Sequence, residues 1–477
     1  MVDVSAKTQL YPFQRDTVER AKGFDGRCLL ALQQGAGKTV CAITYAMETG
    51  SFPAVIVCPA SLKYNWANEF QKHYGKDTVI LSGTKPEKCR LLTTEGNPVY
   101  IINYDILHAW VPALLRLKPK LVVLDESQMA KHLEARRTKA CVAMAYNSDR
   151  FLALSGTPMA GNPMELYPVL NMIFKGHFVS YYKFRDMYTK WFDGPYGICI
   201  TGPKNERALN EFLTSRCMIR YRVEDVLPGL PPFVRQTTLL DMTPTQRREY
   251  ATMQDEFGRW LREKYPGRRI SPDASTAILA KLGYMKRQVA LWKIPAIIEH
   301  VDNFVQNNDG KLIVFGLHRA ILDAIWSKFQ KKNKKSHPFI VRIDGSTPAE
   351  KRNDAVQSFQ NDPGTRVFLA QMIAAGTGLT LTASNHSLFS EVDFLPVTHT
   401  QAEARNRRIG SQAPFIHYNY ILMKDTIEEH VCNRLFERQR AIDTIVDGMG
   451  DDDAGSFNLA MDFINARFGD FQKSGGK

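Results

Sequence analysis

Residues 33–39 read Gln-Gln-Gly-Ala-Gly-Lys-Thr and follow directly on the apolar run Cys28–Leu32. A strand that feeds a Gly-rich turn ending in Lys-Thr is a way to hold a triphosphate. Gly35 and Gly37 let the backbone curl so that N–H groups face phosphate oxygens. Lys38 supplies a point charge near the β/γ-phosphates, and the Thr39 hydroxyl can ligate Mg²⁺. A helix starting near Lys38 adds the positive end of its dipole. The strict form of this loop has Gly where the chain has Leu32, so partner residues must decide. The best partner is Leu121-Val-Val-Leu-Asp-Glu-Ser-Gln128, a short apolar run of the kind that forms a buried parallel strand. Two carboxylates at its end would sit at the rim of the sheet. Asp125 suits Mg²⁺, which takes oxygen ligands and keeps several waters, and Glu126 could orient and deprotonate an attacking water. The two segments together point to a nucleotide hydrolase.

A second cluster lies at 399–411, His-Thr-Gln-Ala-Glu-Ala-Arg-Asn-Arg-Arg-Ile-Gly-Ser. On a helix, Gln401, Arg405 and Arg408 share one face, and Gly410 could end that helix. Two guanidiniums on one face suit the spread negative charge of a phosphoryl-transfer transition state. Supplied from a second domain, they would act only on domain closure.

These groups need sheets to position them. The 477 residues are too many for one ordinary domain. Apolar runs at 28–32, 54–58, 99–102, 121–124 and 151–154 read as strands alternating with helices, the pattern of a doubly wound parallel sheet. Runs at 312–315, 339–343, 366–370, 387–389 and 416–421 repeat the pattern. Segment 164–220 mixes aromatics and charges at helical spacing, among them Tyr181, Tyr188 and Trp191, and reads as a helical insertion whose rings are mostly core. Pro228-Gly-Leu-Pro-Pro232 reads as a connector, and Thr243-Pro244 opens a helix carrying Tyr250, Met253, Phe257 and Trp260. The expected boundaries are 1–163 and 309–447 for the two sheet domains, with helical segments 164–232 and 233–308 between them and a tail 448–477. In that tail, Phe457 to Phe468 reads as a short docking helix or a disordered stretch.

Composition narrows the class. There is no run of eighteen apolar residues, so no membrane span is expected, and the N-terminal residues lack secretory character. The eight cysteines include no C-x-x-C pair, which fits small buried hydrophobes in a reducing compartment better than disulfides or a zinc site. The net charge of +13 favours a polyanionic partner. The run Lys331-Lys332-Asn333-Lys334-Lys335 reads as a solvated loop.

Taken in order, the motifs resemble those of superfamily-two helicases, specifically the Swi/Snf-type ATPases, with the annealing-helicase-like branch and its bacterial or phage relatives nearest. Leu10-Tyr-Pro-Phe-Gln14 resembles the Q motif, Gly35–Thr39 motif I, Pro59–Trp66 motif Ia, Asn103-Tyr104-Asp105 motif Ib, Asp125–Gln128 motif II and Leu154–Pro158 motif III. Glu224–Pro231 is similar to the link after the family's first helical protrusion. Val314-Phe315 and Asp344–Thr347 resemble motif IV and its neighbour, Ala375–Thr380 motif V and Gln401–Gly410 motif VI. Gln128 stands where the family usually has His, and its amide can still donate to a γ-phosphate or to a motif III serine. Arg407 likewise replaces a common His.

The resemblance implies an α/β fold of two RecA-like P-loop domains with helical insertions, ATP and Mg²⁺ as cofactors, and Gln14, Gly376 and Gln401 as nucleotide contacts beside Gly35, Gly37, Lys38 and Thr39. It implies Lys38, Asp125, Glu126, Gln128, Arg405 and Arg408 as the catalytic set, with metal on Thr39 and Asp125. It also implies tracking on duplex or branched DNA through backbone contacts, which carry no sequence information; Ser61, Asn65, Tyr104, Ser346 and Thr377 are the expected contacts. Rival expectations are a strand-separating DNA or RNA helicase and an ATP-gated clamp on forks or recombination intermediates. A monomer is expected, cytoplasmic in a bacterium or phage-infected cell, nuclear in a eukaryote.

Overall fold

A computed structural model of the chain describes residues 9–86, 92–159, 162–194, 197–227, 229–264, 269–270, 274–333, 338–375, 379–408, 410–411, 413–448, 467 and 472–473. The chain divides into two compact units. The first comprises Met1–Thr189, Pro203–Gly229 and Ile442–Asp452, and the second Lys190–Gly202, Leu230–Ala441 and Asp453–Lys477.

The first unit holds β1 (Arg27–Leu30), β2 (Ala54–Cys58), β3 (Val79–Ile80), β4 (Val99–Asn103), β5 (Leu121–Asp125) and β6 (Arg150–Leu154). The chain then forms β7 (Thr189–Gly194) and β8 (Gly197–Pro203), which pair with each other, and β9 (Met218–Ile219). The seven-stranded sheet runs β3-β4-β2-β5-β6-β1-β9, and every pairing in it is parallel. β2, β4 and β5 are buried along their whole length. A parallel sheet covered on both faces asks for continuous apolar strands, and Ala54-Val-Ile-Val-Cys58 supplies one. Register matters most here. Leu30 and Asp125 both pair with Leu154, so the C-terminal ends of β1, β6 and β5 stand level, side by side.

The second unit contains β10 (Phe233–Leu240), β11 (Arg269–Ile270), β12 (Leu312–Gly316), β13 (Ile340–Ile343), β14 (Val367–Gln371), β15 (His386–Phe389), β16 (Ile416–Met423) and β17 (Gln472–Lys473). Its six-stranded sheet, β10-β16-β15-β12-β14-β13, is also parallel throughout; β11 and β17 form a separate two-residue ladder. Lys293, fully buried, precedes the helix Ile294–Asn307. Its ammonium donates to the carbonyls of Ser390 and Ile421 at 2.6 and 2.7 Å and meets Glu428 at 2.7 Å, which uses all three of its donors.

The expected strands are all present, within a residue or two at their ends. The helical reading of 164–220 needs correction, because β7 and β8 separate the helices Tyr167–Ile173 and Tyr181–Tyr188 from Glu206–Arg216, and β9 follows. Segment 233–308 likewise begins not with a helix but with β10, whose residues are mostly exposed. An edge strand open on its faces needs no apolar run, so hydrophobic patterning misses it. The described cysteines Cys28, Cys41, Cys58, Cys141, Cys217 and Cys432 are all buried free thiols. Among the described residues no helix is long and apolar enough to cross a membrane. Apart from Arg467, the stretch 457–468 lies outside the described residues, as do Lys334 and Lys335.

The Lys293–Glu428 pair yields a stability prediction. Removing one partner of a buried pair leaves an uncompensated charge, at a cost of about 3–5 kcal/mol. Glu428→Leu alone should therefore lower the urea midpoint of the second unit sharply, whereas Lys293→Met/Glu428→Leu together should recover most of the loss.

Candidate active site

In the first unit the phosphate loop leaves β1 as expected. Gly35 and Gly37 both adopt φ +85°, the left-handed region that glycine tolerates. Gly37 also lies so close to Gln14 that a Cβ there would come 2.4 Å from Gln14 Nε2. Lys38 opens the helix Lys38–Glu48, with Thr39 as its second residue. Lys38 Nζ donates to the Leu32 carbonyl at 3.0 Å. Gln14 is buried; its amide donates to the Ala36 carbonyl and accepts from the Tyr11 N–H, at 3.0 and 3.1 Å. Its side chain thus braces the loop directly.

Asp125 ends β5 and is buried. Its Oδ2 accepts from Trp66 Nε1 at 2.8 Å, and its Oδ1 from the Glu126 N–H at 3.0 Å. Burial, aided by the charge of Glu126, pushes its carboxyl up to about 6, against the Trp66 bond and the charge of Lys38. A desolvated carboxylate beside a phosphate loop is the environment a cation would relieve, so Asp125 and Thr39 fit a Mg²⁺ site. Among the described residues no group of three or more His, Cys, Asp or Glu could hold a metal by itself.

Glu126 takes a left-handed backbone, φ 52°, which turns its carboxylate back toward the following residues. Glu126 Oε2 accepts from Gln128 Nε2 at 2.7 Å, Gln128 Oε1 accepts from Ser155 Oγ at 2.7 Å, and Ser155 Oγ accepts from the Thr157 N–H at 3.2 Å. Gln128 does engage the motif III serine, but by accepting from it; its donor holds the candidate base. The level strand ends make the relay possible, because Ser155 directly follows Leu154, the register partner of Asp125.

Tyr104 requires a correction. Expected at nucleic acid, it is 1% exposed, and its hydroxyl donates to the Asp125 carbonyl at 2.8 Å. A ring so enclosed supports the β5 end through that bond and does not meet a phosphate chain. Trp66, read as core, is core and in addition a hydrogen-bond donor to Asp125. Ser61 and Asn65 lie partly exposed on the turn and helix after β2.

The second unit carries the other expected residues. The helix bearing Gln401 spans Pro396–Glu403, so Arg405 and Arg408 lie in the turn beyond it and do not share a helix face with Gln401, contrary to expectation; Gly410 comes too late to end it. The turn still converges the two arginines. Arg408 Nη1 and Arg405 Nη1 both point to the Leu379 carbonyl, at 3.1 and 3.5 Å, and Arg405 Nε donates to the Gln401 carbonyl at 2.7 Å. Glu403 fixes the helix end: it pairs bidentately with Arg235, both contacts at 2.7 Å, and accepts from the Tyr420 hydroxyl at 3.0 Å. Arg407 donates to the Pro231 carbonyl at 2.9 Å and lies 4.7 Å from the Phe233 ring centroid, with Arg235 at 4.6 Å from the same ring. Sequence reasoning missed these anchoring roles of Arg235 and Arg407, since nothing in a linear motif says what an arginine stacks on. Ser346 is exposed, its hydroxyl donating to Asp344 at 2.6 Å. Gly376 and Thr377 lie outside the described residues.

The first unit thus carries a phosphate loop and a buried carboxylate at level strand ends, and the second carries two arginines that converge on one carbonyl, residue sets of the helicase type. Residues 17–290 match the SNF2-related domain and residues 292–410 the helicase conserved C-terminal domain, so the chain belongs to the SNF2-related family. Among curated relatives, the DNA annealing helicase and endonuclease ZRANB3 of Bos taurus is 30% identical over 454 residues, covering 93% of this chain and 41% of that protein. The SWI/SNF-related matrix-associated actin-dependent regulator of chromatin subfamily A-like protein 1 homolog of Caenorhabditis elegans is 29% identical over 484 residues, 100% of this chain and 66% of that protein. The chain thus spans about two fifths of the length of the first of these relatives. Among solved structures, the Sulfolobus solfataricus SWI2/SNF2 ATPase core in complex with dsDNA aligns with a TM-score of 0.43 and 19% identity, covering 94% of this chain and 95% of that chain.

Two outcomes follow from the geometry. Asp125→Asn keeps an acceptor for Trp66 but removes the desolvated charge. A carboxyl held at about 6 when folded, against 3.8 ordinarily, binds protons first in the folded state, so wild-type stability declines as pH rises between those values. The metal-free Asp125→Asn protein should accordingly melt a few degrees higher than wild type at pH 7 in scanning fluorimetry, while losing turnover. Gln128→Leu cuts the relay at both ends and should lower kcat at least tenfold with little change in nucleotide affinity, read by steady-state kinetics and binding of a fluorescent nucleotide.

Proposed function

We propose that this protein is a DNA-dependent ATPase that couples hydrolysis to translocation on duplex DNA and so remodels DNA structures or protein–DNA complexes. The observation that carries the reading is the level edge of β1, β6 and β5, which brings the phosphate loop, the Ser155 relay and the Asp125–Glu126 pair together. Lys38 and the loop N–H groups hold the nucleotide phosphates, and Thr39 and Asp125 hold Mg²⁺, which neutralises phosphate charge when bound. Glu126, oriented by Gln128, takes the proton of the attacking water. Arg405 and Arg408 supply positive charge to the transferred phosphoryl group. Gln401 and Gly376 complete the nucleotide contacts on the second unit, as Gln14 does on the first.

Ser61, Asn65, Ser346 and Thr377 are proposed contacts to the DNA backbone, small polar groups that read no sequence. The net charge of +13 supports a polyanionic track. One of the relatives named above is a DNA annealing helicase and endonuclease, which supports this class of substrate. The motor is proposed to act as a monomer.

The decisive measurement is the ATPase rate with no nucleic acid, single strand, duplex, forked DNA and RNA, joined to a triplex-displacement assay. Duplex or forked DNA should stimulate turnover and drive triplex displacement, without unwinding of a tailed duplex. Lys38→Ala should abolish turnover. A Glu126→Gln protein that hydrolyses at the wild-type rate would exclude the assigned base, and stimulation by RNA alone would exclude the substrate.

A further inference from the structure

Arg220, just after β9, sits in the first unit with its side chain 10% exposed. One guanidinium makes four bonds. Nη1 donates to the carbonyls of Ala31 and Gly156 at 2.8 and 3.1 Å. Nε and Nη2 donate to the two carboxylate oxygens of Asp447 at 2.6 and 3.2 Å. Ala31 is the first residue past β1, where the chain enters the phosphate loop, and Gly156 belongs to the loop that holds Ser155. These two backbone segments must keep register for the Glu126–Gln128–Ser155 relay to stand over the nucleotide loop. They also touch from the other side, for a Cβ on Gly156 would come 2.9 Å from Gln34 Cγ.

Asp447 is an odd residue for its place. It is the last residue of the helix Ile427–Asp447, and a carboxylate at a helix C-terminus opposes the helix dipole. Only a strong local partner offsets that, and the fork of Arg220 is such a partner. The helix end is built to deliver it. Asn210 Nδ2 donates to the carbonyls of Ile445 and Val446 at 2.8 and 3.1 Å, satisfying two acceptors that a helix end leaves open. Gly448 then turns away at φ +70°, where a Cβ would come 2.8 Å from Asn210 Oδ1.

We propose that Arg220 is a positioning residue of the nucleotide site and that Asp447 is the group that orients it, so that docking of residues 442–448 sets the geometry of the phosphate loop against the Ser155 loop and thereby turnover. This rests on the ATPase reading given above. A segment outside the nucleotide motifs becomes a control element: undocked, it frees the guanidinium that bonds the carbonyls of Ala31 and Gly156. A displacement of an ångström or less at such a site costs up to a hundredfold in rate.

The test uses the full chain and four proteins: wild type, Asp447→Asn, Arg220→Asp and the exchange Arg220→Asp/Asp447→Arg. Asp447→Asn should lower kcat tenfold or more. Arg220→Asp should lose both stability and turnover. The exchange re-forms an ion pair across the same gap and should return the melting temperature to within a few degrees of wild type. Turnover should stay low, because an aspartate at 220 has no N–H to give the carbonyls of Ala31 and Gly156. If the exchange restores turnover along with stability, or if Asp447→Asn leaves kcat untouched, the pair is structural only and the proposal falls. Hydrogen exchange on the wild type and Asp447→Asn separates this failure from failure of the ATPase reading. Amides of residues 31–39 and 155–158 should exchange faster in Asp447→Asn whether or not the protein hydrolyses ATP, and unchanged exchange would overturn the proposal by itself.

Discussion

The first unit is organised around a carboxylate that burial makes costly. Asp125 sits at the end of an all-buried strand, with burial and a neighbouring carboxylate both opposing its charge. Three groups hold it in place: Trp66 and the Glu126 N–H on its oxygens, and Tyr104 on its own carbonyl. Each comes from a different part of the chain, so the segments after β2, β4 and β5 converge on one residue. A charge stored in this way favours a cation on binding, and its supports fix where that cation can sit.

The second unit solves a different problem, that of holding arginines beyond the end of a short helix. Glu403 closes the helix and is gripped by Arg235 and Tyr420, and the turn that follows directs Arg405 and Arg408 toward one carbonyl, that of Leu379. Leu379 belongs to the segment resembling motif V, so both arginines are tied to that segment through one main-chain carbonyl. Guanidiniums already arranged around an acceptor need little reorganisation to engage an anion.

Much of this was legible in the residues. Continuous apolar runs give parallel strands, and the Gly-x-Gly-Lys-Thr and Asp-Glu spacings place a loop and two carboxylates at strand ends. What was illegible has physical causes. β10 is an edge strand whose apolar residues Phe233, Val234, Leu239 and Leu240 flank the polar run Arg235–Thr238, so it lacks the continuous apolar run of the inner strands. The helix before Arg405 stops at Glu403 because tertiary partners capture that residue, which local periodicity cannot reveal. Tyr104 reads as a surface contact from its motif, yet the same hydroxyl serves equally well as a buried donor. Arg220 lies outside any nucleotide motif, and its partners are distant in sequence.

The buried thiols have a practical corollary. Cys28 lies on β1, Cys41 in the helix behind the phosphate loop, Cys58 at the end of β2 and Cys432 in the second unit's last long helix. Burial pushes the Cys41 and Cys432 thiols up to about 12, and only a thiolate reacts readily with an alkylating reagent. Modification at each must therefore wait for local opening. The chain carries its own set of internal clocks, and the labelling rate at each cysteine measures how often that part of the protein breathes.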